Sequence, residues 1–209
     1  MTVTNGYITL TELRNAILPD NVPANNIADQ RYERLIEAAS RVIDHYCGRR
    51  FYGASETRYY TADNPDRLFI DDLTTVTTLQ TDTGGDGTYE TTWATTDYNL
   101  WPYNASADSK PYTAIETTEY GANDFPTSIR KGIKIVGVFG YVASTAAATG
   151  CPDEIHEACM IICNRYLMRK DTPLGISGNP TLGEQRVVIP RATLDPDVRD
   201  MLEPFRRLV

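Results

Sequence analysis

Asp29–Tyr52, DQRYERLIEAASRVIDHYCGRRFY, is the stretch on which the reading of this chain depends. Its apolar residues Tyr32, Leu35, Ile36, Ala39, Val42, Ile43, Tyr46 and Cys47 recur three and four apart, so they share one face of a helix of period about 3.6. Asp29 offers side-chain acceptors for the first orphan N–H groups, and Gly48 suits the left-handed position that ends a helix. Arg49 and Arg50 follow beside the negative end of the helix dipole. A helix so apolar on one side needs a partner. The comparable segment is Asp153–Arg169, far downstream, where Ile155, Ala158, Cys159, Ile162 and Tyr166 fall on one face. Pro152 precedes it at a first-turn position and Asp153 and Glu154 complement its positive end. The middle of the chain therefore reads as an insertion between two packed helices.

Working outward, Thr9–Leu18 is a short amphipathic segment with Leu10, Leu13, Ile17 and Leu18 on one face and Thr9 or Thr11 as cap. The Pro19–Ala28 linker, with its prolines and asparagines, cannot propagate a helix. From Thr57 to Tyr141 the vocabulary changes to Thr, Tyr, Val and Ile in short runs separated by Gly, Asp, Asn and Pro, which is the pattern of antiparallel strands. Strands are expected near Thr57–Ala62, Arg67–Ile70, Thr75–Thr81, Thr88–Trp93, Tyr98–Trp101, Tyr112–Thr118 and Ile133–Phe139. Gly84–Gly87, GGDG, signals a hairpin because glycine accepts the positive φ of tight turns. The last strand is apolar on both faces and should be the buried one. Ala143–Gly150 reads as a loop of small residues. Asp171–Pro190 carries prolines, glycines and the apolar run Val187–Ile189 without helical period, and reads as a long mobile loop. At the end, LDPDVRDMLEPFRRLV restarts a helix with Asp195 as cap and Pro196 in the first turn. Val198, Met201, Leu202, Phe205 and Leu208 line one side of it, and Pro204 should kink it.

The fold class this predicts is α+β: a small α-helical bundle with an antiparallel β insertion between its two main helices, and a C-terminal helix. The expected divisions are residues 1–52 for the first bundle helices, 53–142 for the insertion, 143–170 for the second main helix, and 171–209 for the loop and terminal helix.

The 209 residues, 41% hydrophobic and 23% charged, suit a soluble globular protein with a real core. No apolar run reaches the roughly 18 residues of a membrane helix, and the start lacks the features of a signal peptide, so cytoplasmic residence is the expectation. A net charge of −8 argues against holding nucleic acid by phosphate neutralisation. Cys47, Cys151, Cys159 and Cys163 show no framework spacing, and the one-turn separation of Cys159 and Cys163 does not favour a disulfide, so reduced thiols are expected.

The chemistry candidates mostly reduce to plain packing. Asp82, Gly84, Asp86–Gly87 and Glu90 resemble the opening of a calcium loop, but position twelve is Trp93 where a bidentate Glu is needed, so a hairpin turn is the better reading. His156, Cys159 and Cys163, with Cys151 or His45–Cys47, are of ligand type, yet their spacing matches no zinc pattern. Buried thiols explain them more simply. Neither histidine has a nucleophile or base at a telling spacing, and no G-x-S-x-G or phosphate loop occurs, so an enzyme is not indicated. Asp71–Asp72 reads as a solvated turn instead of a working pair. Tyr59, Tyr60, Tyr98, Trp101, Tyr103 and Tyr112 make the insertion aromatic, favouring core packing and protein contacts over single-strand binding, which would want interleaved Lys and Arg.

The ordered series IEAASRVIDHYCGRRFY, RLFIDDL, DGTYETTWATTDYNLWPYNA, IKIVGVFGY and CPDEIHEACMIICNRYLMRKDTPLG resembles the head-tail connector (adaptor, or head-completion) proteins of long-tailed bacteriophages and gene transfer agents. The terminal LDPDVRDMLEPFRR is similar to longer members. The resemblance implies a virion neck protein without cofactors: a homo-oligomeric ring, typically of twelve, beneath the portal protein. Such a ring extends the DNA channel and carries a stopper or tail terminator. On that basis the terminal helix is expected to dock on the portal through Val198, Met201, Leu202 and Phe205, with Arg206 and Arg207 as charged contacts. The polar hairpin tips are expected to face outward or toward the tail. An acidic wall suits a channel through which genome DNA passes without specific binding. The competing reading is a metal-binding or nucleic-acid-binding accessory module built on the Cys/His helix.

Overall fold

A computed structural model describes residues 3–17, 26–119, 121–144, 146–168, 176–177, 187–188 and 194–207. The elements are α1 (Leu10–Ile17), α2 (Asn26–Cys47), β1 (Ala54–Tyr60), β2 (Arg67–Thr81), β3 (Thr91–Thr92), β4 (Tyr98–Trp101), β5 (Tyr112–Thr117), β6 (Ile133–Phe139), α3 (Ala147–Gly150), α4 (Asp153–Met168), β7 (Ile176–Ser177), β8 (Val187–Val188) and α5 (Pro196–Leu202). A 3₁₀ turn at Glu203–Phe205 continues α5. The class is α+β. The chain divides into two compact units, one from 1–48 with 147–209 and one from 49–146.

In the first unit α2 buries Ile36, Ala39, Ser40, Ile43 and Cys47, while Tyr32, Leu35, Val42 and Tyr46 flank this spine half-buried. Against it α4 packs Ile155, Ala158, Cys159, Ile162 and Cys163. Full burial of each large apolar side chain stabilises by about 1.5–3 kcal/mol, which is why the two stripes meet. The polar Ser40 inside this seam is satisfied: its Oγ donates to Ile36 O (2.8 Å) and accepts from Tyr7 N (3.0 Å). Residues 3–8 cross α2 and bury Tyr7 and Ile8, a contribution the sequence pattern does not announce. Helix α1 opens with a capping box, in which Glu12 N donates to Thr9 Oγ1 (3.2 Å) and Thr9 N to Glu12 Oε2 (2.7 Å).

Several helix ends differ from expectation. α2 starts three residues early at Asn26, so Asp29 lies in the first turn, where it accepts from Arg14 (3.4 Å) while also complementing the dipole. Gly48 does end the helix, at φ +65°. Part of Ala143–Gly150 is the short helix α3 instead of loop. Of the expected loop Asp171–Pro190, most lies outside the described residues, but Ile176–Ser177 pairs antiparallel with Val187–Val188. Leu18 and Leu208 also lie outside them.

The second unit is one antiparallel sheet in the order β1-β6-β2-β5-β4, with β3 paired to the end of β2. The two strands expected at Arg67–Ile70 and Thr75–Thr81 are a single strand of 15 residues. It pairs β5 along Arg67–Leu73 and β6 along Leu73–Thr81, and register shifts at Phe69/Leu73, Leu73/Thr75 and Val76/Thr78 let it bend between them. The strand expected at Thr88–Trp93 shrinks to Thr91–Thr92, and Thr88 N instead donates to Asp86 within the turn. β6 is central but alternates buried and half-buried positions, so it has one core face and not two. That core holds Leu68, Ile70, Leu73, Leu79, Trp93, Ile115, Phe125, Ile133, Ile135 and Phe139. Trp93 stacks on Phe125 (4.7 Å) and donates from Nε1 to Thr81 Oγ1 (3.0 Å).

Asp71 and Asp72 sit in strand β2, not in a solvated turn. Asp71 accepts from Arg58 (2.6 Å) and Tyr60 (3.1 Å), and Asp72, only 5% exposed, pairs with Arg49 at 3.5 Å. Arg58 also binds Glu56 (2.8 Å), which accepts from Arg50 (2.7 Å), so charges alternate along the sheet. The Arg50 hydrogen bond, with help from Arg58 and against burial, holds Glu56 below its ordinary pKa of 4.5.

Three outcomes follow for stability. Ile43→Ala should cost about 2–5 kcal/mol in a urea melt, as expected for a buried aliphatic truncated at a helix seam. Gly140 has φ +140°, and a Cβ there would sit 2.1 Å from Tyr52 O, whereas one at Gly87 (φ +87°) meets nothing within 4 Å. Gly140→Ala should therefore lose about 3 kcal/mol or more, and Gly87→Ala only the backbone strain of about 1–2 kcal/mol. For Glu56, a lowered folded pKa means stability that is present above 4.5 and lost as pH falls through the folded value. Urea midpoints taken against pH should show a shallower acid limb in Glu56→Gln than in the wild type.

Candidate functional site

Helix α5 begins at Pro196, whose ring fixes φ and removes an N–H that would be orphaned anyway. Asp195 takes the extended N-cap conformation (φ −65°, ψ 148°) but makes no side-chain cap bond. Its carboxylate instead forms an ion pair with Arg165 of α4. Leu194, Val198 and Leu202 are buried against the bundle, and Cys47 Sγ lies 3.9 Å from Leu202 O. Pro204 converts the end of the helix to a 3₁₀ turn, after which Arg207 N donates to Cys47 O (2.8 Å) and satisfies a carbonyl at the end of α2. Tyr46 OH donates to Glu203 (2.8 Å), which also pairs with Arg206 (3.1 Å), and Arg206 lies over the Tyr46 ring at 5.4 Å.

The six residues expected to form one docking stripe thus divide. Val198 and Leu202 are taken up by the chain's own core. Met201, Phe205 and Arg207 are half-buried and Arg206 is exposed. The physical reason is the helix's position: a terminal helix that caps α2 and faces α4 spends its most apolar edge at home.

Sequence reasoning missed a groove beside this helix. It has a volume of about 620 Å³ and is lined, among the described residues, by Arg41, Val42, His45 and Tyr46 of α2, Tyr166 of α4, and Leu194 and Arg199. Arg41 and His45 are one turn apart on the back of the buried spine, where sequence alone suggests only a solvated face. Arg41 pairs with Asp44 (3.1 Å) and donates to Asn5 O (2.8 Å), while His45 and Arg199 are exposed.

The Cys/His helix does not converge on a common point. His156 meets Glu12 (3.3 Å), Cys151 Sγ lies 3.6 Å from Tyr7 O, Cys163 Sγ lies 3.9 Å from Leu35 O, and Cys159 Sγ lies 3.6 Å from Ser40 Oγ. All four cysteines are free thiols. Burial pushes the Cys151 thiol up to about 12, far from the thiolate a metal or an electrophile would want. Among the described residues, the group that gathers ligand atoms is Asp82, Asp86 and Glu90, within 4.8 Å of one another. Asp82, 3% exposed, is a turn former: its carboxylate accepts from Gly85 N (2.6 Å) and Gly87 N (2.8 Å).

The aromatic residues of the second unit also divide. Tyr60 and Tyr98 pack on the sheet core, and Tyr59 meets Tyr89 in a tilted ring contact (5.8 Å). Trp101 and Tyr103 (66% exposed) face outward with Phe69 (69% exposed), which the sequence reading did not single out. Arg67 lies between the Phe69 and Trp101 rings, 4.9 and 4.6 Å from their centroids, and pairs with Glu116 (3.3 Å).

No family model and no curated protein matches the chain. Solved structures do. A chain of the neck of a native gene transfer agent (GTA) particle, computed with C12 symmetry, superposes with a TM-score of 0.61 at 16% identity, over 100% of this chain and 93% of that one. A chain of the neck of an empty GTA particle, computed with C6 symmetry, gives 0.60 at 17% identity, over 100% and 94%. A chain of the virion of a native GTA particle gives 0.58 at 18% identity, over 100% and 94%. From end to end, this chain has the fold of chains found in the GTA neck.

Proposed function

We propose that this protein is a structural component of a phage-like virion neck: a head-tail adaptor whose copies form a ring beneath the portal, extend the DNA channel, and carry the stopper or tail terminator. The observation that carries this reading is the superposition on GTA neck chains over all of this chain and 93–94% of theirs. C12 and C6 symmetry in those necks support a ring, most simply of twelve copies. The α+β fold, with one helical unit and one sheet unit, agrees with a scaffold role. The Cys/His accessory-module reading is disfavoured because Cys159 and Cys163 bond to each other while His156 and Cys151 turn to other partners, so no three of these donors gather among the described residues. The net charge of −8 suits a conduit for DNA, since a like-charged wall repels phosphate instead of releasing counterions to bind it.

Docking on the portal is assigned to the C-terminal segment, with Met201, Phe205 and Arg206 as the outward-facing contacts and Arg207 beside them. Val198 and Leu202 hold the helix to the bundle in the free chain. Should the helix detach on the portal, they would join the interface.

A producing strain lacking this protein should release DNA-filled heads and separate tails in electron micrographs. Joined, infective particles from that strain would refute the assignment. Met201→Ser with Phe205→Ser should weaken portal binding by about tenfold or more with only a small drop in melting temperature, as truncation of half-buried interface anchors does. Val198→Ser should instead lower the melting temperature, because it places a hydroxyl in the core. Undiminished portal affinity in the Met201/Phe205 variant would remove this helix from the interface.

A further inference from the structure

The groove between α2, α4 and α5 is unusual for this chain. On a protein of net charge −8 it places Arg41, His45 and Arg199 around a floor of Val42, Leu194, Tyr46 and Tyr166. The acidic turn between β2 and β3 has the opposite character. Carboxylate oxygens of Asp82, Asp86 and Glu90 lie within 4.8 Å of one another, which concentrates negative charge at one turn. Asp82 spends both oxygens on the Gly85 and Gly87 amides, so the charge offered outward belongs to Asp86 and Glu90, both exposed. Those same bonds, with Thr88 N donating to Asp86 (2.8 Å), hold the turn in one shape before any partner arrives. Gly84, Gly85 and Gly87 leave its tip thin, and a Cβ at Gly87 would touch nothing.

We propose that the Gly84–Glu90 turn of one copy seats in the α2/α4/α5 groove of a second copy, its Asp86 and Glu90 carboxylates meeting Arg41, His45 and Arg199. The occupant is a second copy because charge complementarity is met within the chain itself: the turn offers Asp86 and Glu90, and the groove offers His45 and Arg199 beside the Arg41–Asp44 pair. Such a contact joins two different patches, so repetition runs head to tail and closes a ring when the rotation divides a full turn. Glycine backbone laid against the Tyr46 and Tyr166 rings would shield the charge pairs from water and strengthen them. This inference rests on the ring reading above and names the contact that builds the ring.

Ring formation can be followed by light scattering and electron microscopy of the protein mixed with its portal, in low and high salt. Asp86→Lys with Glu90→Lys, and separately His45→Glu with Arg199→Glu, should each weaken subunit–subunit association by about tenfold or more. Both sets of residues are exposed, so the melting temperature should hold. A chain carrying both reversals should regain the ring. Glu90→Cys combined with Arg199→Cys should give a ladder of disulfide-linked multimers on mild oxidation. Rings that form unchanged in either reversal, or a combined variant no better than its parents, would overturn the contact while leaving the ring reading standing. A wild type that never forms a ring, alone or on the portal, would overturn both.

Discussion

One polar atom in the helix seam governs the arrangement of the helical unit. Ser40 Oγ takes the amide of Tyr7, gives its proton to Ile36 O, and touches Cys159 Sγ. The N-terminal segment, α2 and α4 therefore meet at a site with no room for an unpaired donor, where leaving one would cost about 1–3 kcal/mol. Around it the apolar spine of α2 and the facing residues of α4 exclude water. Helix α5 is added to the same unit through Val198 and Leu202, which are fully buried. The groove lies alongside: α5 covers one part of α2 and leaves Val42, His45 and Tyr46 beside it.

Much of this was legible before any coordinates. The α2 stripe, the α4 partner, Gly48 as terminator and strands β4 and β6 follow from periodicity and glycine position, because those features depend on local spacing alone. What was not legible depends on distant neighbours. Nothing local says that Arg67–Thr81 stays one strand, since its bends answer to pairing with β5 on one side and β6 on the other. Nothing local says that Asp72 is buried, because its burial and its pairing partner Arg49 both come from the folded sheet. The expected docking stripe divides for the same reason, because α5 turns Val198 and Leu202 toward its own neighbours.

The two units divide the labour in physical terms. The helical one carries cations around an apolar groove, and the sheet carries an acidic turn and an outward aromatic patch at Phe69, Trp101 and Tyr103. Aromatic residues and arginine gathered on one exposed patch of the sheet are the composition of protein interfaces, and Arg67 lies between two of the rings. These two surfaces are what the proposed neck role would draw on.

The central claim is the adaptor role, and the most direct test is mass. Light scattering of the purified protein, alone and mixed with the portal from the same particle, should show a closed ring or a monomer that joins the portal at one copy per portal subunit. A protein that stays monomeric and ignores the portal would contradict the account.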